Sequence, residues 1–416
     1  MQLTTLTLEN FRRFEQLEIS LAGKSPVVFI GDNGSGKTAI LEAIAKGLSW
    51  LIARINRARG IGSSIGNVDI LNGQSSASIR LEVQHQSAAY PWSLAKTYKG
   101  REQSQSSDLL PLTTLAGQFR ATLTGNPDSA SLPLIVYYPV YRVVLDIPLK
   151  IKGRHSFGQL DGYENTQQQG VNFRRFFEWF RDQEDSANEP NASQWQKRQL
   201  AAVCLAVYSF MPGFANLRIQ RRPRLCMLID KDGHSLDVGQ LSQGEKSLMA
   251  LVGDIARRLI IMNPAMDNPL EGEGIVLIDE LDLHLHPRWQ AAILGNLGKT
   301  FPNIQFIVTT HSPVIIIQEQ NLRGFVLSDG RCEPMGATYG LDVNLVLLQE
   351  MGLAHIRNPD VQRKLDALLE AIQDGRREEA RAQLDAMRQT LPANHLEIAK
   401  AELLLRRLEV RQSTAG

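Results

Sequence analysis

Apolar and polar residues alternate along the first hundred positions and predict an antiparallel β flap. Residues 3–8 and 14–21 alternate with period two, which predicts a hairpin. Residues 77–83 and 90–98 alternate in the same way and predict a second antiparallel pair. Between these pairs, the continuous apolar run 26–30 predicts a buried strand.

Four phenylalanines at helical spacing mark the middle of the chain. Their rings share one face of a predicted helix because they stand at i, i+3, i+4 and i+7. They are Phe173, Phe176, Phe177 and Phe180. Arg174, Arg175 and Arg181 lie elsewhere on the circumference, where a solvated face is the simpler interpretation and contact with DNA is the alternative. With a second predicted helix at 194–211, this segment is interpreted as a lid inserted between two halves of a core.

Helices and strands alternate in the second half of the core. An apolar helix is predicted from 241 to 261, and buried strands are predicted at 274–280 and 304–311. This order predicts a parallel sheet that binds its ligands at the C-terminal ends of the strands. Beyond about Asp342, three amphipathic segments predict a small helical bundle, which either docks a partner or covers a sheet edge. They span 359–372, 376–390 and 394–411.

Composition indicates the size class of the protein, its possible partners and its cellular compartment. A chain of 416 residues can hold several structural units. Its 45 Lys and Arg residues against 44 Asp and Glu residues give a net charge of +1, so contact with nucleic acid would need a local basic patch. Cys204, Cys226 and Cys332 are isolated, which is typical of a reducing cytosol and indicates neither a disulfide framework nor a zinc site. A cytoplasmic protein without membrane contact is expected, since no signal segment or membrane-length apolar run is found.

A candidate phosphate loop follows the first buried strand. Residues 31–38 fit the pattern G-x-x-x-x-G-K-[ST], with a predicted helix after them. In such a loop the backbone N–H groups face the phosphates of ATP, Lys37 reaches the β- and γ-phosphates, and the Thr38 hydroxyl binds Mg²⁺. The other candidate contacts of the loop are Asn33, Gly34, Ser35 and Gly36. A chance match in a glycine-rich loop is the alternative, and the strand and helix around the motif argue against it.

Two acids end one predicted strand and a histidine ends the next. Asp279 is assigned to the metal and Glu280 to general base catalysis, because each role needs its own carboxylate. His311 is expected to contact the γ-phosphate or to orient Glu280. Acids at the end of a strand are only weak evidence for a catalytic site by themselves, because strand ends often carry solvated acids. They become strong evidence when a phosphate loop is also present.

The segment Leu-Ser-Gln-Gly-Glu-Lys at 241–246 opens the apolar helix. By itself it could be a capping box, with Ser242 bonding back to the first turn and Glu245 three residues on. Ser242 and Gly244 at a helix N-terminus also suit a γ-phosphate. Beside the phosphate loop, the segment resembles the signature motif of the ABC-type ATPases, in the form found in the SMC and RecF branch.

That resemblance implies both a fold and an assembly. The fold is an α/β P-loop NTPase head of ABC type, with a mixed, largely parallel sheet, the antiparallel β flap, an inserted helical lid and a C-terminal helical bundle. The assembly is a nucleotide-sandwich dimer, with a higher oligomer as a further option. In that dimer the signature residues Ser242, Gly244 and Glu245 of one subunit cover the ATP held by the other.

Three further segments are similar to the same branch. Residues 10–14 resemble its N-F-R-x-F opening, which implies that Arg12 lies near the phosphates. Residues 281–287 resemble its D-loop, which implies that Asp282 faces the partner's site. Residues 309–313 resemble the His switch and place it at His311.

One element of the family is not recognisable, namely the Gln-loop. The matching place is 137–142, so the sensor of the γ-phosphate or the metal stays open, with Arg142 and Gln159 as candidates. His284 and His286 could suggest a metal, but packing and hydrogen bonding are favoured without a third ligand.

Taken whole, the chain resembles compact bacterial ATPases related to RecF, among them the ATPase subunits of Septu and retron antiphage systems. This implies ATP hydrolysis with Mg²⁺, a partner nuclease of the HNH type, and DNA as a further candidate ligand. A RecF-like repair ATPase that binds DNA without a toxic partner is the alternative, and a transporter subunit is disfavoured by the 10–14 opening. The expected organisation is 1–145 and 236–335 as the two halves of the ATPase head, 146–235 as lid and hairpin, and 336–416 as a partner-docking region.

Overall fold

The computed structural model describes residues 1–101, 106–125, 130–141, 143–144, 158–166, 171–191, 193–392 and 395–413. Contacts between residues divide the chain into two compact units, Met1–Val346 and Leu347–Gly416. The first unit holds the sheets and the candidate site. The second unit is helical.

The strands and helices run in the following order along the chain. The strands are β1 (Gln2–Phe11), β2 (Phe14–Ser20), β3 (Val27–Gly31), β4 (Ser76–His85), β5 (Ala88–Thr97), β6 (Leu134–Tyr138), β7 (Val143–Val144), β8 (Val171–Asn172), β9 (Phe214–Gln220), β10 (Cys226–Lys231), β11 (His234–Asp237), β12 (Gly274–Ile278), β13 (Ile304–Thr309), β14 (Arg323–Ser328) and β15 (Arg331–Pro334). The helices are α1 (Lys37–Asn56), α2 (Leu110–Gly125), α3 (Phe173–Ala187), α4 (Gln194–Phe210), α5 (Gln243–Met262), α6 (Pro287–Thr300), α7 (Pro313–Gln318), α8 (Val343–Gln349), α9 (Pro359–Gln373), α10 (Arg377–Thr390) and α11 (Leu396–Ser413).

A six-stranded sheet forms the centre of the first unit, in the order β15-β14-β3-β13-β12-β6. Strand β15 pairs antiparallel with β14 at one edge, and the other pairings are parallel. Every residue of β6, β12 and β13 is buried, which is typical of parallel strands covered on both faces. The predicted parallel sheet is confirmed, and its strand ends form one edge.

The predicted flap is confirmed as a separate antiparallel sheet in the order β2-β1-β4-β5. Its strands alternate between a buried and an exposed face, as in β2, where Phe14, Leu17 and Ile19 are buried. A third sheet, in the order β11-β10-β9, contains a hairpin of β10 and β11 at the end of the segment expected to hold lid and hairpin.

The structure also contains elements that the sequence analysis did not predict. Helix α2 packs through four residues at helical spacing, and strands β14 and β15 extend the central sheet beyond β3. The buried residues of α2 are Leu112, Leu115, Ala116 and Phe119. This spacing is typical of an amphipathic helix and could have predicted α2, but the polar loop before it drew the interpretation of this segment towards a loop.

The phenylalanine helix is confirmed as α3, and all four rings are buried. Its arginines pair with acids of the same unit: Arg174 Nε lies 3.0 Å from Glu178 Oε1, and Arg175 Nη2 lies 2.7 Å from Glu164 Oε1. These pairs support the solvated-face interpretation over contact with DNA.

The second unit is a bundle of α9, α10 and α11, as predicted. Its core is built from ten apolar residues that recur at helical spacing. They are Leu365, Leu368, Ala371, Ile372, Ala380, Leu384, Met387, Ile398, Ala401 and Leu405. Among the residues that the structure describes in either unit, no helix combines the length and apolar character that crossing a membrane requires.

Candidate nucleotide-binding site

A cavity of about 320 Å³ lies where β3 and its neighbouring strands end. It brings together most of the residues predicted for the nucleotide. The lining residues are Arg12, Arg13, Asn33, Gly34, Gly36, Lys37, Thr38, Ala39, Asp279, Glu280 and His311. Segments separated by more than two hundred positions in sequence thus meet at the edge of one sheet.

Two glycines let neighbouring segments approach the phosphate loop closely. Gly31 has φ +141°, and a Cβ there would come within 2.2 Å of the Leu327 carbonyl oxygen on β14. Gly36 has φ +109°, and a Cβ there would come within 2.5 Å of the Phe14 ring. Only glycine fits both the backbone conformation and the space, so the loop is held between β14 and the first hairpin.

Lys37 is buried and folded back on its own loop. Its Nζ donates to the Gly31 carbonyl at 2.7 Å and to the Asp32 carbonyl at 2.9 Å. Burial lowers the pKa of Lys37, and the carboxylates of Asp279 and Glu280 offset part of that effect. A phosphate would offer this ammonium a full countercharge in place of two neutral carbonyls.

The loop carries one polar group that the protein leaves unsatisfied. The Ser35 hydroxyl is buried, at 4% exposure, and has no hydrogen-bond partner within the chain. A buried hydroxyl without a partner is costly, and a phosphate oxygen would satisfy it. The loop therefore fits an anionic ligand beside the N-terminus of α1.

Asp279 joins the phosphate loop to the neighbouring strands. Its Oδ2 accepts from the Thr38 hydroxyl at 2.8 Å, and its Oδ1 accepts from the Thr309 hydroxyl at 2.6 Å. An alcohol and a carboxylate side by side are oxygen ligands of the kind that Mg²⁺ takes. Thr38 and Asp279 therefore fit the predicted metal role.

Glu280 is held by its backbone beside this pair. Its φ is +47°, and its N–H donates to the Thr309 hydroxyl at 2.7 Å. Thr309 thus orients both acids through one oxygen, a role that the sequence analysis missed because it assigned this segment only to the His switch. A positive φ is uncommon for a residue other than glycine, and Glu280 lines the cavity. Its role as general base stays a prediction.

The predicted D-loop acid packs against the end of β13. Asp282 Oδ1 accepts from the Thr310 hydroxyl at 2.6 Å and from the His311 N–H at 3.1 Å. Asp282 therefore positions the backbone of the His-switch segment within its own chain. That it also faces a partner's site stays a prediction.

The signature residues lie outside the cavity. Ser242 caps α5 by accepting from the Glu245 N–H at 3.3 Å, and Glu245 Oε2 accepts from the Ser242 N–H at 2.7 Å. Glu245 Oε1 also lies 2.6 Å from Lys231 Nζ. A Cβ on Gly244 would come within 2.3 Å of the His284 carbonyl oxygen. The predicted capping box is therefore present: Oε2 of Glu245 takes part in it, while Oε1 pairs with Lys231.

Comparison with known proteins places this arrangement in a family. Residues 5–202 match the model of the AAA domain. A retron Ec83 probable ATPase of Escherichia coli is 34% identical over 395 residues, covering 80% of this chain and 72% of that protein. The chain belongs to the ABC-type ATPases of the RecF/SMC-like branch. A Septu protein PtuA of Bacillus mycoides is 45% identical over 86 residues, which is 21% of this chain and 11% of that protein. A crystal structure of an SMC head bound to the C-winged helix domain of ScpA is similar over 81% of this chain and 98% of the SMC head chain, with 17% sequence identity and a TM-score of 0.47.

Two predictions for the sensor of this RecF/SMC-like ATPase have different outcomes. Gln159 does not line the cavity, and its amide donates to the carbonyls of Ala130 and Met262, each at 2.6 Å. The structure therefore does not support Gln159 as the sensor, because this side chain ties its own turn to Ala130, which precedes β6, and to the end of α5. Arg142 lies outside the described residues.

Of the two histidines in the D-loop region of this ATPase, His286 has a structural role. His286 caps α6, accepting through Nδ1 from the Arg288 N–H at 3.2 Å. Within the described parts of the chain, no group of three or more His, Cys, Asp or Glu residues is arranged to hold a metal.

Arg12 borders the cavity of this ATPase and is itself held by acids. Its Nε donates to Asp69 Oδ1 at 2.9 Å, and one Nη donates to Glu42. Burial by itself raises the pKa of Asp69, but its bonds from Gly66, Arg12 and Lys46 lower the pKa overall. Asp69 is not predicted from the sequence, because it lies in a Gly- and Ser-rich loop without a periodic pattern.

Proposed function

We propose that this chain hydrolyses ATP in composite sites formed by two copies of itself. The observation that carries the proposal is the division of the motif residues. Lys37, Thr38 and Glu280 share one cavity, whereas Ser242 and Gly244 lie outside it. Each subunit then supplies the phosphate loop of one site and the signature of the other.

The residues of the cavity have distinct roles in this proposal. Lys37 exchanges its loop carbonyls for the β- and γ-phosphates, and the Ser35 hydroxyl gains a phosphate partner. The Thr38 hydroxyl and the Asp279 carboxylate would hold Mg²⁺, which would supply positive charge beside the phosphates. Glu280 takes a proton from the attacking water at its carboxylate, and His311 contacts the γ-phosphate from the end of β13.

Nucleotide-dependent association tests this proposal directly. A Glu280→Gln variant should bind ATP, hydrolyse it on the order of a hundredfold more slowly or worse, and accumulate as a dimer. Its mass in solution is measured by light scattering with ATP and with ADP. Lys37→Ala is the matched control and should stay monomeric with either nucleotide. A Glu280→Gln protein that binds ATP and remains monomeric would contradict the shared site.

We further propose that the ATPase regulates a partner nuclease, of the HNH type, in antiphage defence. The similarity to retron and Septu proteins supports this setting. A row of exposed leucines on α11 supports a docking surface in the second unit, since Leu396, Leu403 and Leu404 share one helix face at 66%, 60% and 43% exposure.

Removal of that surface separates docking from hydrolysis. Deleting the residues after Asn358 should preserve ATP hydrolysis and abolish co-purification with a nuclease encoded by the adjacent gene. The finer variant Leu403→Glu with Leu404→Glu should do the same, while Arg363→Glu on α9 leaves binding unchanged. Retained co-purification in the double variant would count against α11 as the docking face.

A RecF-like ATPase that binds DNA without a toxic partner is the second candidate. This function is supported by the segment 10–14, which resembles the opening of RecF and SMC proteins. Hydrolysis stimulated by duplex DNA, together with a gene neighbourhood that lacks a nuclease, would favour this function over phage defence.

A further inference from the structure

Arg12 occupies an unusual position for a charged residue at the edge of the cavity. It stands in the turn between β1 and β2, with φ +52°, a backbone conformation that residues other than Gly, Asn and Asp adopt rarely. Lys37 and Arg13 line the same cavity. Three cations close together repel one another, so something must hold the Arg12 guanidinium there.

Asp69 accepts hydrogen bonds from both the backbone and the side chain of Arg12. Its carbonyl oxygen accepts from the Arg12 N–H at 2.7 Å, and its Oδ1 accepts from Arg12 Nε at 2.9 Å. The second carboxylate oxygen is fixed in turn, accepting from the Gly66 N–H at 2.9 Å and lying 3.2 Å from Lys46 Nζ. The carboxylate is almost fully buried, with 2% of its side chain exposed.

The surrounding loop is also attached to the tip of β1. The Leu71 N–H donates to the Asn10 carbonyl at 2.8 Å, and Ile70 forms a bridge with Phe11. Glu42, on the helix that follows the phosphate loop, binds the far end of the Arg12 guanidinium. A planar guanidinium held at Nε and at one Nη has little freedom to rotate.

We propose that Asp69 is a positioning residue that holds the Arg12 guanidinium at the edge of the cavity, ready to meet a phosphate of ATP. This inference rests on the proposed function. The Asp69 carboxylate does not line the cavity, and among the residues bonded to its oxygens, which are Arg12, Gly66 and Lys46, Arg12 is the one that does. The loop that follows α1 thereby becomes part of the nucleotide site.

A double-mutant cycle between the two residues tests the proposal. ATP binding, KM and kcat are measured for wild type, Arg12→Ala, Asp69→Asn and the double variant, together with the thermal midpoint of each. Asp69→Asn should raise KM for ATP by roughly 10-fold, the factor that corresponds to one charged hydrogen bond, with a smaller change in kcat. In the Arg12→Ala background, Asp69→Asn should change KM by less than about twofold.

Three other results would contradict the proposal or the function on which it rests. If Asp69→Asn raises KM by the same factor with and without Arg12, Asp69 acts on the loop alone and the proposal is overturned. An Asp69→Asn protein that binds ATP as wild type does also overturns it. A wild-type protein that does not bind ATP refutes the proposed function instead.

A second variant covers the case in which Asp69→Asn does not fold. Glu42→Gln alters the other end of the same guanidinium at a side chain that is 33% exposed, so the fold should tolerate it. Its rise in KM should be smaller than that of Asp69→Asn and should vanish when Arg12 is Ala; a rise that persists there contradicts a guanidinium held for ATP. Asp360→Asn, an exposed carboxylate in the second unit, is the matched control.

Discussion

Two helix N-termini in the first unit carry glycine-containing motifs, and they differ in whether the protein itself caps them. We call the N-terminus of α1 the open terminus and the N-terminus of α5 the closed terminus. Helix α1 starts after Gly36, which offers no side-chain cap, and the nearby Ser35 hydroxyl has no partner within the chain. Helix α5 starts at a complete capping box, in which Ser242 and Glu245 satisfy each other and Lys231 pairs with Glu245. The first terminus is built to receive an anion, and the second is satisfied without one.

This difference bears on how the two motifs are used. An unsatisfied terminus gains most from a phosphate, so α1 should bind nucleotide in an isolated subunit. At α5, the Ser242 oxygen accepts from the helix, and the same hydroxyl can donate its hydrogen to a phosphate. The cap and a phosphate contact are therefore compatible, and the signature can join a site without unfolding its helix.

Removing the cation at the open terminus should have the largest effect. Lys37→Ala should reduce ATP hydrolysis by at least about a hundredfold and abolish tight ATP binding, since no other ammonium lines the cavity among the described residues. Phosphate release and equilibrium binding of ATP provide the measurement. Lys299→Ala, an exposed lysine on α6, is the control and should behave as wild type. Unchanged ATP affinity in Lys37→Ala would remove the loop from the nucleotide site.

Substitutions of Ser242 separate its cap from its phosphate contact. Ser242→Ala should lose hydrolysis and about 1 kcal/mol of stability, because the helix loses its cap. Ser242→Asp keeps a good cap but places a carboxylate where a phosphate must approach, so it should be as stable as wild type and equally inactive. Thermal unfolding and phosphate release are measured for both variants. An active Ser242→Asp protein would show that this hydroxyl does not meet the phosphate.

The pH dependence of the closed terminus should give the smallest effect. Burial alone raises the pKa of Glu245, yet its bonds to Lys231 and Ser242 lower the pKa overall. A carboxylate with a depressed folded-state pKa stabilises the fold above its unfolded value of about 4.3, and this contribution is lost as pH falls through the folded value. The free energy of unfolding of wild type minus that of Glu245→Gln should therefore shrink as pH falls below about 4. A difference that does not depend on pH would contradict a charged cap.

The residues of the candidate site were not equally visible in the sequence. Lys37, Thr38, Asp279 and Glu280 stand in short motifs beside apolar strands, and parallel strand order is sufficient to predict that they meet. Asp69 was invisible because its partner Arg12 is 57 positions away and its loop has no period. Thr309 lies inside a motif that was recognised, but its bond to Asp279 depends on β12 and β13 lying side by side in the sheet.

Mixing two inactive variants tests the central claim, that one site draws on two subunits. Lys37→Ala lacks the loop cation and Ser242→Ala lacks the signature hydroxyl, so neither should hydrolyse ATP alone. A dimer that combines both variants contains one intact composite site, so an equimolar mixture should recover part of the wild-type phosphate release, which amounts to about a quarter where subunits pair at random. No recovery, with mixed dimers shown to form, would mean that the loop and the signature do not share ATP across subunits.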